Sequence, residues 1–221
     1  MPAGIKVLYE DRDIIVVDKS SGLLSVKTNY ENEKTAYRLL TNYIRKGNPE
    51  TKLRLFVVHR LDRETSGVLI FAKSMEIREK FAEQWKNIEK KYLAIVHGNL
   101  TEESGIIESY LAEGGNYKVR SVKNSQDGKL ARTQYKVIQK SKKYNLLEIN
   151  LLTGKKNQIR VHLSEKGHPI VGDIKYGKDT KGRLALHAWS IKFRHPFNHE
   201  VMKFETKIPE YFSSLLRPKV K

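Results

Sequence analysis

Short runs of alternating or continuous apolar residues dominate the chain and predict strands. They fall at Lys6–Tyr9, Ile14–Asp18, Val68–Ala72, Tyr92–His97, Tyr117–Val122, Thr133–Ile138, Leu146–Leu152, Leu184–Phe193 and Val201–Thr206. Three stretches carry helical spacing instead. Thr35–Lys46 sets Leu39, Leu40, Tyr43 and Ile44 on one side. Met75–Asn87 follows Ser74, a suitable N-cap, and spaces Ile77, Phe81 and Trp85 four apart. Asn157–Lys166 spaces Ile159 and Leu163 four apart and ends at Gly167. A last short helix is expected after Pro209. Many strands with few helices, not alternating one for one, predict an α+β fold with a mixed, largely antiparallel sheet. A parallel doubly wound fold would need more crossover helices. With 221 residues and no internal repeat or long linker, residues 1–221 read as a single domain.

Charge changes this picture more than composition does. Residues 1–112 hold 18 Lys and Arg against 16 Asp and Glu, whereas residues 113–221 hold 24 against 9. Nearly all of the net +17 therefore sits in the second half. Such a lopsided field implies a polyanionic partner, with nucleic acid ahead of an anionic membrane. No basic amphipathic helix with an apolar face supports the membrane alternative, and no apolar run has transmembrane length. Cysteine is absent, which excludes disulfides and thiolate metal sites and suits a cytoplasmic location. Neither a Gly-x-Gly-x-x-Gly nor a P-loop pattern occurs, so no nucleotide cofactor is expected. His187, His195 and His199 lack a metal-ligand spacing, and no metal is expected either.

Four segments concentrate chemistry. His59-Arg60-Leu61-Asp62-Arg63-Glu64-Thr65-Ser66-Gly67 is a charged loop entering a buried strand, the kind of place where a rigid neighbour aims a catalytic group. It also reads as an ion-paired turn, Arg60 and Arg63 against Asp62 and Glu64. Thr153–Leu163 places a glycine turn before a helix among Lys155, Lys156, Arg160 and His162. Helix N-termini welcome phosphates, although His162 alone reads as structural. Lys90–Val96 alternates so that Tyr92, Ala94 and Val96 share a face, where Tyr92 is equally a core residue. Gly167-His168-Pro169-Ile170-Val171-Gly172-Asp173, followed by Tyr176-Gly177, reads as a rigid structural loop.

Taken together and in order, these segments resemble the RluA-type family of RNA pseudouridine synthases. The resemblance runs through IIVVDKSSGLLSV, HRLDRETSG with VLIFAKS, KKYLAIVHG, LLTGKKNQIRVHL, GHPIVGDIKYG and LHAWSIKFRHP, almost the whole length of the chain. It implies an α+β catalytic fold with a sheet, flanking helices and loops around a central cleft. It also implies a catalytic domain without the S4 RNA-binding domain of longer relatives. By position, Asp62 becomes the catalytic aspartate, Tyr92 the aromatic that contacts the target base, and Arg160 the basic partner of Asp62. Arg60 is placed to fill the gap left by an extruded nucleotide. The family's Lys-Pro-x-Gly is Lys19-Ser20-Ser21-Gly22 here, and its Gly-Arg-Thr-His-Gln is Gly154-Lys155-Lys156-Asn157-Gln158.

The implied reaction breaks ribose C1′–N1, turns the uracil and joins C1′ to C5, with nothing oxidised or imported. It therefore needs no cofactor. The carboxylate either attacks C1′ or removes a sugar proton. His59, Arg60, Arg63, Lys118, Arg120, Lys123, Lys155 and Lys156 are the expected RNA contacts. Leu61, Thr65 and Ile159 are expected to line the substrate pocket, with Val68 and Ile70 as further apolar walls. The expected partner is a stem-loop of transfer or ribosomal RNA met by a monomer, since a base leaves its stack most cheaply from a loop. Two other readings compete. A non-catalytic RNA-binding or ribosome-assembly protein would not need Asp62, Tyr92 and Arg160 together. A glycosidic hydrolase would need a second carboxylate.

Overall fold

A computed structural model describes residues 3–28, 34–46, 48, 50–179 and 181–217. The chain divides into two compact units, residues 1–88 with 188–206, and residues 89–187 with 207–221.

The first unit begins with the hairpin β1 (Ile5–Glu10) and β2 (Ile14–Lys19). Asp11 closes its turn, with one carboxylate oxygen accepting the amides of Asp13 and Ile14 at 2.8 Å each. Next come α1 (Ala36–Ile44), β3 (Phe56–Val57), β4 (Ser66–Ala72) and α2 (Met75–Gln84). The unit is completed by most of β10 (Leu186–Arg194) and by β11 (Val201–Glu205). Its strands run in the order β1-β2-β4-β10-β11, and β3 pairs with the end of β4. All seven residues of β4 are buried, as its unbroken apolar run requires of a strand covered on both faces. Ile14, Val16, Val68, Ile70, Phe81 and Phe193 meet in one core, where the Phe81 and Phe193 rings pack edge to face at 5.2 Å. A phenylalanine buried this fully contributes about 1.5–3 kcal/mol relative to exposure. Thr35 and Ser74 cap α1 and α2 by accepting the amides of Arg38 and Ile77.

The second unit is a five-stranded antiparallel sheet in the order β5-β9-β8-β6-β7. Its strands are β5 (Glu89–His97), β6 (Ser104–Glu113), β7 (Val119–Val122), β8 (Lys129–Lys140) and β9 (Tyr144–Leu151). Helix α3 (Gln158–Glu165) packs on β6, β7 and β8, and α4 (Glu210–Leu216) packs against β9. The predicted strand at Tyr117–Val122 begins only at Val119, because Gly115–Tyr117 forms a 3-10 turn. Strands β3 and β6 leave no periodic signal. In β6 buried and exposed positions mix without a dry face, and the strand is held by its ladder to β8 from Ser104 to Leu111. Among the described residues no helix is long and apolar enough to cross a membrane.

Candidate functional site

In the first unit the Asp62 loop is held by the segment after β2. Ser25 Oγ donates to Leu61 O at 2.8 Å and accepts the Leu61 amide at 3.0 Å, so the residue before Asp62 is gripped at both backbone groups. Gly22 N donates to Arg63 O at 2.9 Å, and Ser21 Oγ donates to Glu64 O at 2.8 Å. Ser20, at the position of the family's proline, donates its amide to Gly4 O at 2.9 Å, a bond that proline has no donor to make. Lys19 is fully buried, and its ammonium donates to Ser20 O, Leu23 O and Arg63 O at 2.9, 2.7 and 3.2 Å. Burial pulls its pKa down to about 8 against the opposing charges of Glu64, Asp62 and Asp18. The Asp62 carbonyl accepts the Thr65 amide at 3.1 Å, closing the turn, and Asp62 is itself half-buried.

Gly67 ends the loop at φ +115°, and a Cβ there would lie 2.1 Å from Ala188 O. Only glycine permits this approach of β10. Leu61 and Thr65 are buried beside Asp62, while Arg60 and Arg63 are exposed. Arg63 Nε donates to Gly22 O at 3.1 Å and lies 4.0 Å from Glu64. His59 accepts the Ile70 amide at Nε2 and stacks near Trp85 at 5.0 Å, so it anchors the loop to β4. Val68 and Ile70, expected as apolar walls, belong to the core with Ile14 and Phe81 instead. Every residue of β4 is covered.

In the second unit α3 organises the basic segment. Asn157 precedes it in the left-handed conformation, at φ +52°. Gln158 is buried and bonds Arg132 O, Thr133 Oγ1, Thr153 Oγ1 and Lys155 N, which fixes the turn carrying Lys155 and Lys156. His162 is buried between Thr133 Oγ1 at 2.8 Å and Ser109 Oγ at 3.1 Å. Burial lowers its pKa, and the residue is structural as its isolation in sequence suggests.

Arg160 is buried and makes a two-bond pair with Asp173, Nε to Oδ2 and Nη2 to Oδ1, both 2.8 Å. Asp173 Oδ1 also accepts the amides of Lys175 and Tyr176 at 3.0 Å each. Burial works to raise the Asp173 pKa, but these donors outweigh it and hold the carboxyl below its usual range. Arg160 also lies 5.2 Å from the centre of the Tyr176 ring, as do Lys118 and Lys175 at 5.6 and 5.5 Å. The Tyr176 hydroxyl donates to Asn157 Oδ1 at 3.1 Å and accepts the Val119 amide at 3.0 Å. The rigid loop expected around Asp173 and Tyr176 is present. Its second duty, orienting Arg160, lacks a sequence signal beyond the clustering of a buried acid and a nearby arginine.

Ile159 is buried on the same helix. Tyr92 lies half-buried on β5 opposite Ile149. Lys118, Arg120, Lys123, Lys155 and Lys156 are all exposed, and Lys156 pairs with Glu113. A group with metal-ligand chemistry, Asp11, Asp13 and His195, gathers in the first unit. There His195 Nδ1 accepts the amides of Phe197 and Asn198, which leaves the ring proton on Nε2, 3.1 Å from Asp11. A metal would need that nitrogen's lone pair, and Nε2, buried, makes no hydrogen bond among the described residues.

Residues 13–165 match the family model for RNA pseudouridylate synthase. The chain is 33% identical to ribosomal large subunit pseudouridine synthase D of Nitrosomonas europaea, aligning 96% of itself with 64% of that protein. It is 37% identical to an uncharacterized RNA pseudouridine synthase of Mycoplasma pneumoniae, over 96% of this chain and 69% of the relative. The chain thus spans about two thirds of the length of these curated relatives. The solved structure of human RNA pseudouridylate synthase domain containing 4 has the same fold, with a TM-score of 0.77 at 24% identity over 94% of this chain and 90% of that one.

Proposed function

Since the chain belongs to the RNA pseudouridylate synthase family, we propose that it isomerises specific uridines to pseudouridine in structured RNA, with Asp62 as the essential carboxylate. The observation carrying this reading is the construction around Asp62. A half-buried acid sits on a loop whose flanking backbone is gripped by Ser25, Gly22 and a fully buried Lys19. A solvated ion-paired turn would need none of these bonds.

In this reading the Asp62 carboxylate acts at the ribose, at C1′ or on a sugar proton, while the C1′–N1 bond breaks. The detached uracil turns, C1′–C5 forms, C5 gives up its proton and N1 ends protonated, so substrate and product are isomers. Tyr92 positions the base, with proton transfer secondary. Arg160, held in one orientation by Asp173, balances negative charge on the carboxylate and the departing base. Leu61, Thr65 and Ile159 keep water from the detached base, which would otherwise be lost as uracil. Arg60 fills the space the nucleotide vacates. Arg63, Lys118, Arg120, Lys123, Lys155 and Lys156 meet phosphates, and His59 braces the loop that bears Arg60. The chain acts as one catalytic domain, a cytoplasmic monomer that needs no cofactor. Its RNA is a ribosomal or transfer stem-loop, and the name of the Nitrosomonas relative makes large-subunit ribosomal RNA the first to test.

The test incubates unmodified transcripts of ribosomal and transfer RNA with the protein and separates the digested nucleosides. Pseudouridine from wild type and none from Asp62→Asn is the expected result. Free uracil would identify a hydrolase. RNA binding without product from either protein would leave an RNA-binding role in place of the isomerase.

A further inference from the structure

Among the exposed lysines of the second unit stands an aromatic ring open to solvent. Tyr117 ends the 3-10 turn between β6 and β7 and is 74% exposed. Its backbone lies in the left-handed region at φ +55°, a conformation that disfavours a bulky side chain. The turn is nevertheless pinned. Gly114 N donates to Lys118 O at 2.8 Å, and Lys175 Nζ donates to the Tyr117 carbonyl at 2.9 Å. Lys156 Nζ stands 5.4 Å from the ring centre, and Lys118 follows directly in sequence. An open ring on a pinned turn, with Lys156 beside it (itself paired with Glu113) and Lys118 next in sequence, has both parts that proteins use to hold single-stranded nucleic acid, a stacking face and cations for the backbone.

We propose that Tyr117 is a stacking platform for an unpaired base of the bound RNA, with Lys118 on an adjoining phosphate and Lys156 and Lys175 holding the ring and its turn. The inference deepens the reading of this chain as an RNA-modifying enzyme and rests on it. It assigns Tyr117 a part in choosing RNA with unpaired bases. The lysines add affinity without reading structure, whereas the ring separates an open loop from a closed duplex.

The probe is a labelled RNA hairpin with a loop of unpaired adenosines and uridines, beside the same hairpin with an abasic loop. Binding is read by fluorescence anisotropy at fixed salt. Tyr117→Phe should bind the base-bearing hairpin as wild type does. Tyr117→Leu should bind it roughly fivefold to a hundredfold more weakly, the usual effect of losing one stacked base, and should bind the abasic hairpin unchanged. Tyr117→Gly suits the backbone and should melt close to wild type while losing the same affinity, which separates recognition from folding. Wild-type affinity in Tyr117→Leu and Tyr117→Gly overturns the inference, and so does an equal loss on both hairpins. If the wild-type protein binds neither hairpin, the RNA reading itself fails.

Discussion

Replacing Asp173 with Asn tests whether the Arg160–Asp173 pair is a positioning device. Both groups are buried, and the carboxylate takes four hydrogen bonds, two from Arg160 and two from the amides of Lys175 and Tyr176. Asparagine leaves one oxygen for the amides but turns an NH2 toward the guanidinium, so a buried cation loses its counter-charge. Breaking one side of a buried ion pair costs about 3–5 kcal/mol. For a chain of this size that lowers Tm by roughly 6–20 °C. The Asp173 carboxyl is held below its usual range, so its contribution is complete above the unfolded carboxylate pKa of about 4. It is lost as pH falls through the folded value, and the two stability curves should converge in acid. Denaturant melts between pH 2 and 7 give the stability term. Rates of pseudouridine formation under folded conditions give the activity term, expected to fall at least tenfold in kcat. Combining Asp173→Asn with Arg160→Gln removes the stranded charge, and should recover much of the stability but none of the rate. An Asp173→Asn protein within 1 kcal/mol of wild type, or one with full kcat, would refute the reasoning.

Other perturbations follow from the same geometry. Gly67→Ala places a methyl 2.1 Å from Ala188 O and should yield insoluble or unfolded protein, read by circular dichroism. Ser25→Ala strands the Leu61 amide and carbonyl at a cost of about 1–3 kcal/mol, and hydrogen exchange at residues 61–65 should accelerate. Lys19 has a folded pKa near 8 against about 10.5 unfolded, so the unfolded chain binds its proton more tightly. Its titration should therefore stabilise the fold by up to about 3 kcal/mol as pH rises from 8 to 10.5, and Lys19→Met should lack that rise in chemical denaturation. Lys155→Ala with Lys156→Ala should flatten the dependence of RNA affinity on salt by nearer one phosphate contact than two, because Lys156 already faces Glu113. An unchanged slope would remove both lysines from the RNA surface.

How far the sequence could be read depended on whether a residue's neighbour lay along the chain or across it. The unbroken apolar runs of β2 and β4 announce strands covered on both faces, and Ser74 announces the start of α2, because periodicity and capping are local properties. β6 is invisible by the same measure, since its stability comes from a ladder to β8 while its side chains alternate without a dry face. The site divides in the same way. Asp62 stands out on a charged loop, yet the groups that grip that loop, Lys19 and Ser25, lie 44 and 36 residues away from the backbone they bond. In sequence Lys19 is one lysine among many. Only burial distinguishes it, and burial is decided by tertiary packing. The family resemblance pairs Arg160 with Asp62, and the structure bonds it to Asp173, thirteen residues on. Two bonds from one buried carboxylate fix the direction of the Arg160 guanidinium. The tyrosine and aspartate of the loop from Gly167 to Gly177 should therefore tolerate substitution less than the exposed lysines around them.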